Sequence, residues 1–126
     1  MKPGGSANIT LGARGEALAV AYLKGKRFRI CEQNFRCKGG EVDIIAMDGD
    51  TYVFVEVKAR RNEAFGPPQS AVTPFKQRQV SKAALTWLSK NRLHNADARF
   101  DVIALIVREN DVPQINHIVN AFDLAY

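Results

Sequence analysis

Two β-rich runs, Glu41-Val42-Asp43-Ile44-Ile45-Ala46-Met47 and Tyr52-Val53-Phe54-Val55-Glu56-Val57-Lys58, flank the turn-forming string Asp48-Gly49-Asp50-Thr51. Runs of β-branched and aromatic residues joined by an Asp-Gly turn leave little choice but an antiparallel hairpin. Side chains two apart share a strand face, so Glu56, Lys58 and Arg60 point one way and Val53, Val55 and Val57 the other. A connection with an even number of residues then predicts Asp43 directly opposite Glu56. Two facing carboxylates within such apolar strands repel each other, and either one is protonated or a cation lies between them.

The rest of the chain builds around that hairpin. Leu11, Gly15, Leu18, Ala19, Tyr22 and Leu23 recur at helical spacing up to Gly25, predicting an amphipathic helix whose stripe includes Gly15, where a missing side chain allows close approach to a sheet. Glu16 falls at the edge of that stripe, at the helix–sheet boundary. Residues 27–35 alternate imperfectly and predict an outer strand ending near Lys38-Gly39-Gly40. Thr73-Pro74 supplies an N-cap and a first-turn proline for a second helix running to about Asn91, with Val80, Ala83, Ala84, Trp87 and Leu88 on its apolar face. Residues 100–107 are almost continuously apolar, as expected of a strand buried on both faces and reached by a helical crossover. Residues 114–119, preceded by Pro113, predict an edge strand. The expected class is α/β, a mixed central β-sheet flanked by helices in the order αβββαββ. The length of 126 residues fits a single domain with a loose tail over residues 1–8.

Composition narrows the function classes. With 46% hydrophobic and 25% charged residues the chain is neither disordered nor low in complexity. No run reaches the ~18 apolar residues of a membrane span, and the start lacks the apolar stretch of a secretory signal, predicting a cytoplasmic protein with no membrane partner. Cys31 and Cys37 lack metal-ligand spacing and are expected to be buried or inert. His94, in a polar loop, and His117, in the edge strand, have no identifiable partner in the sequence. The net charge is +5, and its distribution matters more. Between Ala64 and Ala96 no acidic residue occurs, while Lys76, Arg78, Lys82, Lys90 and Arg92 do. Arg78, Lys82 and Lys90 take the solvent side of the second helix; Lys76 shares the azimuth of the apolar stripe and points toward the end of the sheet. Such clusters suit a polyanion such as nucleic acid.

An isolated Glu-Val-Lys in a strand is ordinarily a solvated charge pattern. What raises its interest is Asp43, Glu56 and Lys58 on one face of strands apolar enough to be interior, where charge is costly. A hard divalent ion such as Mg²⁺ (or Mn²⁺) fits two carboxylates completed by water and phosphate oxygens. Lys58 would stand near that ion to orient water or stabilise a pentavalent phosphorus, and Glu16 could supply a third carboxylate.

These residues resemble a known pattern. Asp43 followed by Glu56-Val57-Lys58 is similar to the PD-(D/E)XK motif of restriction-endonuclease-like nucleases, and Glu16 to the extra acid of the archaeal Holliday-junction resolvases. Gly15-Glu16, Gly40-Glu41-Val42-Asp43-Ile44-Ile45-Ala46, residues 53–60, Phe65-Gly66, Ala71-Val72-Thr73-Pro74, Lys76-Gln77 and Arg99-Phe100-Asp101-Val102 together resemble the bacterial YraN family. Val42 stands where the motif's name has proline, and Ser70 where relatives are expected to carry an acid. The resemblance implies a restriction-endonuclease-like core, Asp43 and Glu56 as metal ligands, Lys58 as catalytic lysine and Glu16 as auxiliary acid. The activity expected is Mg²⁺-dependent hydrolysis of structured DNA, including branched DNA, with Arg60, Lys76, Arg78 and Lys82 on phosphates. Junction-cutting relatives act as homodimers because two symmetric strands must be cut, although no stretch here marks an interface. Two other readings stay open: a nucleic-acid-binding module whose site is inactive or partner-dependent, and an interaction protein in which the charges form a buried ion network.

Overall fold

The computed structural model describes residues 9–62, 64 and 72–125. The tail expected over residues 1–8 and the motif residues 65–71 lie outside them. The elements are α1 (Leu11–Gly25), β1 (Arg29–Cys37), β2 (Gly40–Asp48), β3 (Thr51–Arg60), α2 (Pro74–Lys90), β4 (Ala98–Ile106) and β5 (Gln114–Phe122). The order is the predicted αβββαββ.

The five strands form one mixed sheet in sequence order, antiparallel except for the parallel β3–β4 pair that α2 connects. Helix α1 covers one face: Ala19 and Leu23 pack on Ile44, Ala46, Val53, Val55, Ile103 and Leu105. Helix α2 covers the other, with Val80, Ala83, Ala84 and Trp87 against Phe35, Val42, Ile45, Phe54 and Phe100. Each face of β3 thus meets a different helix, which is why its sequence is apolar at both parities. This is a restriction-endonuclease-like α/β arrangement.

Both helices start as their sequences dictate. Thr10 and Thr73 accept the backbone N–H groups of Ala13 and Lys76, satisfying donors left over at a helix start. The close approach expected at Gly15 is present: a Cβ there would fall 2.5 Å from the Ala59 Cβ on β3. Gly40 does the same for α2, since its Cβ would fall 2.6 Å from the Gln79 carbonyl oxygen. Two glycines therefore set how near each helix lies to the sheet.

Several boundaries differ from expectation. Strand β1 starts at Arg29, because Arg27 takes a positive φ of 70° and Phe28 still donates to the Leu23 carbonyl closing α1. Strand β4 starts at Ala98, drawn in by parallel pairing with Tyr52. Strand β5 runs on to Phe122, which pairs with and stacks on Phe100. Cys31 is exposed on the edge strand β1 and Cys37 half-buried at its end, so neither is the buried thiol expected.

His117, for which the sequence offered no partner, is almost fully buried in a polar network on the α1 face. Its Nε2 lies 2.7 Å from Asp101 Oδ2, and its Nδ1 lies 3.3 Å from the Tyr22 hydroxyl. Asp101, fully buried, also accepts two bonds from Arg99 and the backbone N–H of Asn120. Every acceptor position of this carboxylate is used, as a buried charge requires. Among the described residues no helix is long and apolar enough to cross a membrane.

Candidate functional site

The hairpin register makes the site. Asp48 pairs with Thr51 and Ile44 with Val55, so the same register carried one step further sets Asp43 against Glu56. The ladder itself stops at Ile44 and Val55. There β2 departs from simple alternation: Ile44 faces α1, yet Val42 packs with α2. On the neighbouring strand Asn34, between the pairs Gln33↔Ile44 and Phe35↔Val42, takes a left-handed φ of 55°, a conformation asparagine tolerates better than most residues. Asp43 turns into the fork so formed and accepts the backbone N–H of Val57 at 2.8 Å.

Glu56 is 4% exposed, on the α2 face with Phe54. Burial, then the charge of Asp43 and a hydrogen bond shared with it, push its carboxyl up to about 8 against an ordinary 4.5, and nearby Lys76 only partly offsets this. The two carboxyls meet just past the end of the ladder, and the pair relieves the repulsion by holding a proton. Glu56 Oε1 is buried without a hydrogen-bond partner among the described residues. An orphaned carboxylate oxygen beside a second carboxylate is a hard-oxygen donor set that suits Mg²⁺ or Mn²⁺. Among the described residues no cluster of three such groups stands ready as a metal shell. Asp43 and Glu56 are the two carboxylates that could hold such an ion, a number within what Mg²⁺ takes from proteins.

Glu16 lies at the helix–sheet boundary, held by a 2.8 Å hydrogen bond from Asn34 Nδ2. Its carboxyl is raised by partial burial and by the charge of Asp43, against the lowering effect of Asn34. A helix, an edge strand and the hairpin therefore deliver Glu16, Asn34 and Asp43 to one neighbourhood. Lys58, two residues beyond Glu56 in an unbroken β3–β4 ladder, shares its face, is half-buried and forms no salt bridge among the described residues. Arg60, at the end of β3, is half-buried.

Lys76 is placed differently from an exposed phosphate contact. Its Nζ lies 2.8 Å from Glu41 Oε1 and 3.5 Å from Glu56 Oε2. Partial burial works against the ammonium, but the hydrogen bond to Glu41 and the charges of Glu56, Glu41 and Asp43 outweigh it and raise its pKa. That same hydrogen bond holds Glu41 below the usual carboxylate range. Because Glu56 is protonated over most of the neutral range, Glu41 is the firmer partner of Lys76. Glu41 was not among the residues singled out from sequence, although its position two before Asp43 was a signal. Arg78 and Lys82 are exposed on the outer face of α2, as expected.

The profile of the uncharacterised protein family UPF0102, the YraN family, matches residues 15–105. The chain belongs to this family. A UPF0102 protein of Geotalea uraniireducens is 67% identical over 119 residues, 94% of each chain. One from Geobacter sulfurreducens is 61% identical over 94% of this chain and 93% of its own length. A UPF0102 protein of Rhodococcus opacus is 45% identical over 91% of this chain and 98% of its own. The UPF0102 match spans α1 to β4 and so includes every carboxylate of the candidate site.

Proposed function

We propose that this UPF0102 protein is a divalent-metal-dependent nuclease acting on structured DNA, including branched DNA. The observation that carries the reading is the half-buried Asp43 set against the buried Glu56, whose Oε1 is orphaned among the described residues and which shares its strand face with Lys58. Burying an acid beside a second carboxylate is costly, and a chain keeps such an arrangement where ligand chemistry needs it.

Asp43 and Glu56 would hold Mg²⁺ or Mn²⁺. When bound, that ion lowers the pKa of an attacking water and neutralises charge on the scissile phosphate. Lys58 places its ammonium against the phosphoryl oxygens, whose negative charge grows as the P–O bond to the attacking oxygen forms and the bond to the leaving sugar oxygen breaks. Glu16, whose carboxyl is pushed up by partial burial and the charge of Asp43, would take a proton from the attacking side. Arg60 and the basic outer face of α2 hold flanking phosphates. A junction with two strands to cut would be served by a homodimer.

A second reading is a nucleic-acid-binding module whose site is inactive or partner-dependent. It is favoured by Lys76, which already neutralises Glu41 and touches Glu56. Cleavage of labelled four-way-junction, flap, single-stranded and duplex DNA in Mg²⁺ or Mn²⁺ separates the two. Cutting by the wild type, lost in Asp43→Asn, in Glu56→Gln and in chelator, is the nuclease outcome. Salt-sensitive binding without cutting in all three proteins is the binding-module outcome.

A further inference from the structure

The outer face of α2 carries Phe75, Arg78, Gln79, Lys82 and Leu85 at positions i, i+3, i+4, i+7 and i+10, one continuous helical stripe. It borders a groove of about 510 Å³ also lined by Gly39, in the β1–β2 turn, and by Ala125. Phe75 is 62% exposed and Leu85 46%. A phenyl ring at that exposure, on the face opposite the buried Val80, Ala83, Ala84 and Trp87, is an unused binding surface rather than core. Two cations and no acid line the groove among the described residues, and no acid occurs between Ala64 and Ala96. Its occupant is therefore anionic and presents a flat apolar group.

The groove also adjoins the carboxylate site. Gly39 stands two residues before Glu41, and Phe75 immediately precedes Lys76, the residue that pairs with Glu41 and touches Glu56. The same turn and the same helix start thus serve both places.

Resting on the nucleic-acid reading above, we propose that this groove is a subsite for an unpaired nucleotide, with Phe75 stacking on the base and Arg78 and Lys82 holding the adjacent phosphates. Bases in a duplex present only their edges, whereas an exposed ring beside cations takes the face of an unstacked base. The substrate class is therefore DNA with single-stranded character next to the bond to be cut: a flap, a gap or an opened junction. An acidic peptide would use the cations but gain little from Phe75.

The test is binding in chelator, where no cleavage competes, of a fluorescein-labelled oligothymidylate and a blunt duplex, followed by anisotropy over a salt series. Phe75→Ala should weaken oligothymidylate binding roughly tenfold with an unchanged salt slope, and leave the duplex nearly unaffected. The double variant Arg78→Ala/Lys82→Ala should lower the slope of log K against log salt by about 0.7 for each phosphate contact removed. Equal losses on both ligands in Phe75→Ala, or wild-type affinity in both variants, would overturn the subsite. A wild type that binds neither ligand would overturn the nucleic-acid reading with it, and Mn²⁺ titration of the same protein by calorimetry shows separately whether the carboxyl pair takes metal. Phe75 is exposed, so its replacement leaves the fold intact, which circular dichroism checks.

Discussion

Asp43 uses its side chain to do what a neighbouring strand would do for Val57. Continued by two residues, the β2–β3 register would set Val57 against Val42; instead Asp43 Oδ2 accepts the Val57 N–H at 2.8 Å. One carboxylate therefore terminates a ladder and faces Glu56 at once. Asp43→Asn keeps an acceptor and should cost under about 1 kcal/mol in folding stability, whereas Asp43→Ala strands the N–H and should cost about 1–3 kcal/mol. Urea unfolding of the two variants checks this, and calorimetry should find Mn²⁺ binding lost in both.

Glu56 makes stability fall as pH rises. Its carboxyl titrates near 4.5 when unfolded and near 8 when folded, so the native state retains a proton that the unfolded chain releases. The stabilisation is fully present below about pH 4.5 and is lost progressively up to about pH 8, at a total on the order of a few kcal/mol. Glu56→Gln should flatten this part of the stability curve and be more stable than the wild type at pH 8–9, as denaturant unfolding across the range would reveal. Metal binding to the wild type should release a proton at neutral pH, read from calorimetry in buffers of different ionisation enthalpy.

Lys76 competes with any cation that approaches the carboxyl pair. Removing its charge in Lys76→Met should tighten Mn²⁺ binding severalfold while lowering stability, because Glu41 loses its ammonium partner. Unchanged or weaker Mn²⁺ affinity in calorimetry would show that Lys76 supports metal binding instead of opposing it.

The Asp101 network belongs to stability rather than chemistry. Burial disfavours the Asp101 carboxylate, yet the hydrogen bonds from His117, Arg99 and the Asn120 N–H outweigh it and hold its pKa below the usual range. Its contribution is present above about pH 4 and disappears as pH falls through the lowered value. Asp101→Ala leaves Arg99 and His117 with a buried deficit and should cost about 3–5 kcal/mol. Thermal unfolding at neutral pH measures that loss, while nucleic-acid binding by the folded fraction should be unchanged.

Much of this architecture is legible in the sequence because local signals agree with the tertiary arrangement. Thr73-Pro74 caps α2, the Asp-Gly turn fixes the hairpin register, and Gly15 marks the face of α1 that touches the sheet. Hairpin parity sets Asp43 opposite Glu56 in the sequence, but the turn of its carboxylate onto the Val57 N–H does not follow from it. What escapes a linear reading depends on elements far apart in the chain. The twist of Val42 toward α2 needs the irregularity at Asn34 on β1, the grip of Lys76 on Glu41 spans the crossover, and His117 finds Asp101 only when β5 pairs with β4. Each is a contact between side chains whose spacing no local pattern encodes.

The absent side chain at Gly15 carries weight out of proportion to its chemistry. Helix α1 rests directly on Ala59, and Glu16 is the next residue along, so the height at which the helix rides over the sheet determines how far that carboxylate reaches toward Asp43. A single added methyl would act as a shim, lifting Glu16 away from Asp43 and Asn34 without changing any ionisable residue of the chain. The tolerance of this acid cluster is thus set by a residue with nothing to ionise, and a survey restricted to charged side chains would pass over the position that holds them in register.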